Sequence, residues 1–334
     1  MLYNQMSSFN KISIAIAIAL FASLMAWPLL KSADSVQEKP PRFLTEEILG
    51  DGSNPVIPIP LSLNLNPQKV ALGESLFADS ILSGNGFSCT TCHKLTSAGT
   101  DGRKLSLTTG GKTDTKNTPT LFNSGFNPLQ LWNGKVTTLE QQLDNVIHSP
   151  EHMNSSWELV INRLQNNQNY LKLFNTLYSD GVTRDNVTHA IVSYERSLTT
   201  PNANFDKYLR GDSDAITNEQ KKGYKLFQDY GCISCHQGIN LGGNLFARFG
   251  IFENRQLNKV VLTDYDYGRY AYSKQEQDKF VFRVPSLRNV AVTAPYFHDG
   301  SADNLYDAIK TMAQVQLDIL LPEEDINLIA SFLN

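Results

Sequence analysis

Two short stretches carry the residues best suited to chemistry: CTTCH at 89–93 and CISCH at 232–236. Together they use all four cysteines of the 334-residue chain, Cys89, Cys92, Cys232 and Cys235, so none is left for a disulfide framework. Cysteine pairs at this spacing serve zinc, redox disulfides and haem. A four-cysteine zinc site needs no histidine directly after each pair, and a thioredoxin-type pair needs neither that histidine nor a second copy. Covalent haem c accounts for both features. Two cysteines three apart reach the two former vinyl groups on one edge of the macrocycle, and the next residue then lies beneath the iron as an axial imidazole. The expectation is two haem c groups, one on Cys89, Cys92 and His93 and one on Cys232, Cys235 and His236.

Helices must hold these turns in place. From Pro67 the pattern is helical, with Leu72, Leu76 and Phe77 on one face. The stretch GYKLFQDYGCISCH then repeats the arrangement, Gly223, Leu226 and Phe227 matching Gly73, Leu76 and Phe77. This weak duplication predicts two related domains, 61–200 and 201–334, each with one haem. Helical periodicity returns over 139–150, 156–178, 185–198, 301–313 and 322–333, with a turn-rich junction at 199–217. Long β-alternation is scarce, so the fold class is mainly α, with little β and long loops wrapped around two haems.

The start of the chain reads differently. Prolines mark 34–60 as an extended lead-in. Lys11 is followed by an uncharged apolar stretch, 12–30, whose length falls between a long signal-peptide core and a minimal membrane span. Lys31 stands where a cleavage site wants a small residue, so 1–33 fits both a cleaved leader and an uncleaved membrane anchor. Either implies export to the periplasm. With 19% charged residues and a net charge of −4, nothing points to nucleic acid.

Beyond the haem turns, the chain carries NTPTLFN (117–123), LWNGK (131–135), PNANFDKYLRGD (201–212), FRVPSLRNV (282–290) and TAPYFHDG (293–300). In these motifs it resembles the bacterial di-haem cytochrome c peroxidase family, which includes the MauG-type enzymes, over about 42–334. The resemblance implies two cytochrome-c-like domains packed face to face, a high-potential C-terminal haem that receives electrons, a peroxide-reducing N-terminal haem, a tryptophan between them and a calcium ion near the domain interface. It also implies hydrogen peroxide and a reduced cytochrome c or similar small donor as partners, and often a homodimer.

Carried over residue by residue, the resemblance makes Met312 the axial ligand opposite His236, where thioether ligation raises the potential. On pattern alone, Met312 would be a core methionine beside Leu305, Ala308 and Ile309. MauG-type enzymes have tyrosine in this role. Trp132 matches the inter-haem tryptophan, and Asn117 with the carbonyls of Thr293 and Pro295 matches the calcium site, whose oxygen ligands suit a hard cation. His298, His189 and His148 read as structural.

Two departures bear on the N-terminal haem. Switching members carry a histidine ligand on the loop before NTPT, but here the loop has neither histidine nor methionine, and Thr109-Gly110 stands in its place. That haem is expected to be open at rest. Gln142 matches the distal glutamine, whereas the glutamate ten residues on is replaced by His152, with Glu151 immediately before it. Either can serve as the acid/base that moves the peroxide proton, His152 being favoured. Two rival functions remain: a MauG-like oxidation of a protein or organic partner, and a non-catalytic electron-transfer protein in which both irons are six-coordinate.

Overall fold

Each helix begins where the sequence supplies a cap. In the computed structural model, which describes residues 55–253 and 261–334, Asn66 accepts from the N–H groups of Gln68 and Lys69 and Pro67 opens α1 (Pro67–Ala78). Thr138, Ser156, Asn167 and Thr183 likewise cap α2 (Leu139–His148), α3 (Trp157–Asn166), α4 (Gln168–Leu177) and α5 (Arg184–Ser197). The short α6 (Asn204–Leu209) leads to α7 (Asn218–Asp229), opened by a reciprocal Thr217/Gln220 capping box. Asn304 caps α8 (Leu305–Leu317), and Glu323, Glu324 and Asp325 fill the first turn of α9 (Glu323–Leu333), where the helix dipole favours acids.

The fold is mainly α-helical. Among the described residues the one sheet pairs β1 (Phe246–Arg248) with β2 (Val281–Arg283) in antiparallel register, Phe246 opposite Arg283. The single helix expected over 156–178 is two, because Asn167 leaves helical geometry (φ −96°, ψ 110°) to cap α4. The helix expected from 301 starts at Leu305, behind its Asn304 cap, and runs to Leu317. The leader, 1–33, and 34–54 of the lead-in lie outside the described residues. No helix among those described is long and apolar enough to cross a membrane.

The duplication is visible in packing. A Cβ on Gly73 would lie 2.0 Å from Ala190 O, and one on Gly223 would lie 1.9 Å from Leu328 O. Glycine therefore lets α1 meet α5, and α7 meet α9, backbone to backbone. Phe77 packs on Tyr194 with ring centroids 5.3 Å apart, as Phe227 packs on Phe332 at 5.4 Å. One hydrophobic core gathers Leu76, Phe77, Ile147, Val160, Phe174 and Ile191, and another gathers Tyr224, Phe227, Ile329 and Phe332. Each fully buried side chain of this kind contributes roughly 1.5–3 kcal/mol.

The visible end of the lead-in belongs to the second core. Val56 is buried there and bridges to Gly238, and Ile59 N–H donates to Asp206 Oδ1 at 2.9 Å. Asp206 is fully buried against Arg288, 2.9 Å away, and Arg288 Nη2 also donates to Ile57 O. The two halves of the chain are joined by hydrogen bonds: Asn240 Nδ2 donates to Asn123 O and Asn127 Oδ1, and Asn117 N–H donates to His298 O.

Candidate haem sites

Each C-x-x-C-H unit forms a tight turn after its helix. Cys89–Thr91 and Cys232–Ser234 are single 3₁₀ turns, closed by His93 N–H on Cys89 O (2.9 Å) and by His236 N–H on Cys232 O (3.0 Å). Both imidazoles are then fixed the same way. His93 Nδ1 donates to Gly99 O at 3.0 Å and His236 Nδ1 to Leu241 O at 3.2 Å. A carbonyl only accepts, so Nδ1 carries the hydrogen and Nε2 keeps its lone pair. Burial lowers both imidazole pKa values, that of His236 to about 4, so both rings are neutral and fit to ligate iron.

Two cavities lie over these turns, with empty volumes of about 1210 Å³ (N-terminal) and about 1240 Å³ (C-terminal), mouths included. Cys89, Cys92 and His93 border the first; Cys232 and His236 border the second. All four thiols are unpaired, and burial pushes Cys89 up to about 12 and Cys232 up to about 11. Among the described residues, the only three-residue grouping of His, Cys, Asp or Glu close enough to share an ion is Asp266, His298 and Asp299, so no four-cysteine cluster is gathered. His298 is buried, its Nε2 3.0 Å from Asp266 Oδ1 and its ring stacked on Phe282.

The walls facing the turns differ. In the C-terminal cavity α8 brings Met312 together with Ile309 and Ala313, beside Val290 and Leu333. Trp132, Asn117, Thr293 and Pro295 also border it. Trp132 Nε1 donates to Asn117 O at 2.9 Å, and Asn117 Nδ2 to Arg103 O at 2.8 Å, which leaves Asn117 Oδ1 as that side chain's metal-ligating atom. The N-terminal cavity is bordered by Gln142, His152, Asp114, Lys116, Glu195 and Met153. Glu151 is exposed and does not border it; its carbonyl accepts from Thr109 N–H at 2.9 Å. Thr109, at the place of the switching ligand, is thus tied to the turn that carries His152.

Sequence reasoning passed over Asp114, Glu195, Arg283 and Ser124 in this region. Asp114 Oδ2 lies 3.5 Å from His152 Nε2 and 2.7 Å from Lys116 Nζ, while Ser149 Oγ lies 2.7 Å from His152 Nδ1. Burial alone would raise the Asp114 carboxyl, but its hydrogen bond to His152 and the charge of Lys116 prevail and hold it well below the usual carboxylate range. Glu195 is the opposite case: burial pushes it up to about 8, aided by the charge of Glu140. A signal for it existed, since Val187, Ile191 and Glu195 share one helical stripe and only the last is polar. Arg283 stood inside a motif already noted, FRVPSLRNV, and Ser124 in no motif at all.

Three buried side-chain atoms bordering the N-terminal cavity have no hydrogen-bond partner: Ser124 Oγ, Glu195 Oε2 and Arg283 Nη1. Buried polar groups are ordinarily satisfied. An apolar-faced group with a carboxylate edge, as haem is, fits a cavity with such a rim. Fold and cavities together define a mainly helical protein with two cavities fit to hold haem.

Known proteins agree. The di-haem cytochrome c peroxidase family model matches residues 67–214. The cytochrome c peroxidase Ccp of Escherichia coli (strain K12) is 43% identical over 284 residues, covering 84% of this chain and 61% of that protein. The cytochrome c551 peroxidase of Pseudomonas aeruginosa is 39% identical over 274 residues, covering 81% and 79%. A crystal structure of a MauG-like protein associated with microbial copper homeostasis superposes with a TM-score of 0.71 at 26% identity, covering 88% of this chain and 93% of that one. The chain belongs to the di-haem cytochrome c peroxidase family. It spans about three-fifths of the Escherichia coli protein's length, 61%.

Proposed function

We propose that this protein reduces hydrogen peroxide to water with electrons from a reduced cytochrome c, using two covalently bound haem c groups. The observation that carries the reading is the asymmetry of the cavities: a thioether, Met312, on an apolar wall in one, and Gln142, His152 and Asp114 in the other. In this reading 201–334 is the electron-accepting lobe, where His236 and Met312 would hold the haem iron, and 61–200 is the peroxide lobe, where His93 would hold it. Trp132 carries electrons from one to the other. Asn117, Thr293 and Pro295 hold calcium, and 1–33 exports or tethers the protein on the periplasmic side.

Bound haem supplies the one-electron carriers and a metal that polarises the O–O bond. The residues supply the proton chemistry. Gln142 orients peroxide by hydrogen bonding, and His152 takes the proton of the near oxygen and returns it to the far oxygen, which leaves as water. Asp114 stabilises the imidazolium formed between those two transfers, as a buried carboxylate does beside a catalytic histidine. Two electrons and two protons then convert the near oxygen into the second water.

Steady-state consumption of peroxide by the haem-loaded protein with reduced cytochrome c tests the reading. Turnover is expected, together with one high-spin and one low-spin ferric signal in the electron paramagnetic resonance spectrum of the oxidised protein. Two low-spin signals and no turnover would make it an electron-transfer protein. Turnover only with a protein or organic reductant would make it MauG-like.

A further inference from the structure

Where the two cavities meet lies a cation with one unused face. Arg283, the last residue of β2, is 5% exposed and borders both cavities. Its backbone N–H donates to Trp132 O at 2.9 Å and its Nε to Leu131 O at 3.0 Å, but its buried Nη1 has no partner. Burial draws its pKa down to about 10, which still leaves it charged at neutral pH. Arg288, in the same motif, shows what a purely structural arginine does: Nε donates to Ile239 O, and Nη2 to Ile57 O and Asp206.

A buried, unpaired guanidinium is costly, so an anion is expected at Nη1. The carboxyls nearest the cavity rim do not supply it. Asp114 is engaged by Lys116 and His152, and Glu195 is kept neutral by burial. The carboxylates that remain are the haem propionates.

We propose that Arg283 is a shared clamp for the two haems: Nη1 pairs with propionate carboxylate where the cavities meet, and its charge raises both reduction potentials. The same side chain fixes the electron path. Leu131 adopts φ 68°, a left-handed conformation that leucine rarely takes, and Arg283 grips the carbonyls of Leu131 and Trp132. A positive charge beside a haem favours the state holding the extra electron, so losing it lowers the potential. This inference rests on the di-haem reading and deepens it.

Potentiometric titration of the haem-loaded protein, followed by its visible spectrum without peroxide or donor, tests the clamp. The wild type should show two haem transitions; their absence would sink the di-haem reading itself. Arg283→Gln should lower both potentials by a tenfold or larger change in each reduction equilibrium, about 59 mV per tenfold for one electron. Unchanged potentials would overturn the clamp, and a shift confined to one haem would overturn its shared character. Arg283→Lys should stay near wild type at neutral pH and fall below it as pH rises, because a buried ammonium loses its proton far more readily than a guanidinium. The ionisable groups around Arg283, namely Tyr265, Asp114, Lys116, His152, Glu195 and His236, are the same in both proteins, so the difference between them is the readout. If Arg283→Gln does not take up haem, Arg283→Lys decides alone, and potentials that track wild type across the pH range overturn the proposal.

Discussion

In the N-terminal half, α1 runs through Gly73 and Phe77 into the turn of Cys89, Cys92 and His93. In the C-terminal half, α7 runs through Gly223 and Phe227 into the turn of Cys232, Cys235 and His236. The partner helices keep the same spacing: Ala190 and Tyr194 on α5 stand where Leu328 and Phe332 stand on α9. One residue further along, the copies part. Glu195 borders the N-terminal cavity and Leu333 the C-terminal one. Across from the turns, the first copy presents Gln142, His152 and Asp114, and the second presents Met312. Attachment is a repeated chassis set by glycine contacts and the C-x-x-C-H turn, whereas the chemistry is written on the walls that face it.

The largest expected effect comes from erasing the wall that makes the C-terminal site what it is. Met312→Ala should leave both haems attached, since no cysteine is touched, yet sharply lower the potential of the C-terminal haem. Axial ligands set haem potentials over a span of roughly 0.8 V, so this change should exceed that of Arg283→Gln. Redox titration of the variant reads it directly. Unchanged potentials would return Met312 to the role of a core methionine on α8.

The next effect tests the polar wall. His152→Ala should slow peroxide cleavage by roughly 10²–10⁴-fold while keeping the high-spin ferric signal, because only the proton shuttle is lost. Asp114→Asn should slow it less, since the imidazole remains and only its anionic neighbour is gone. Rapid-mixing kinetics with peroxide separate the two variants. If a high-spin signal appears only in His152→Ala, the imidazole is an iron ligand and the contrast between the cavities is one of ligation, with no proton shuttle.

Much of this was legible in the sequence because it depends on local spacing. The turns of Cys89–His93 and Cys232–His236, the capped helices and the Gly73/Gly223 repeat are all set by residues within a turn or two of one another. Residues brought together from distant segments were not legible. Asp114 meets His152 across the fold, beside the contact of Thr109 N–H with Glu151 O, and Arg283 gains significance only where two cavities converge. The break at Asn167 was missed for another reason: the apolar spacing continues through it, and only the side-chain cap reveals two helices. The places of Val56 in the second core and of Ile59 beside Phe126 and Ile239 were hidden because the lead-in has no periodicity of its own.

The smallest expected effect concerns Glu195, the polar residue at the position that carries Leu333 in the other copy. Burial, the leading cause, and the charge of Glu140 raise its pKa from 4.5 to about 8, while Arg196 pulls weakly the other way. Between those values the folded chain keeps a proton that the unfolded chain has lost. Stability should therefore fall as pH rises through this window, by up to about 1.4 kcal/mol per pH unit, and level off above pH 8. Glu195→Gln keeps the shape and removes the ionisation, so its stability should be flatter with pH and overtake the wild type on the alkaline side. Denaturant midpoints of the haem-loaded proteins from pH 5 to pH 9 measure this. Parallel curves would mean that Glu195 is ionised in the folded protein. The N-terminal wall would then hold a charged carboxylate beside Cys89, and its contrast with Leu333 would be one of charge as well as polarity.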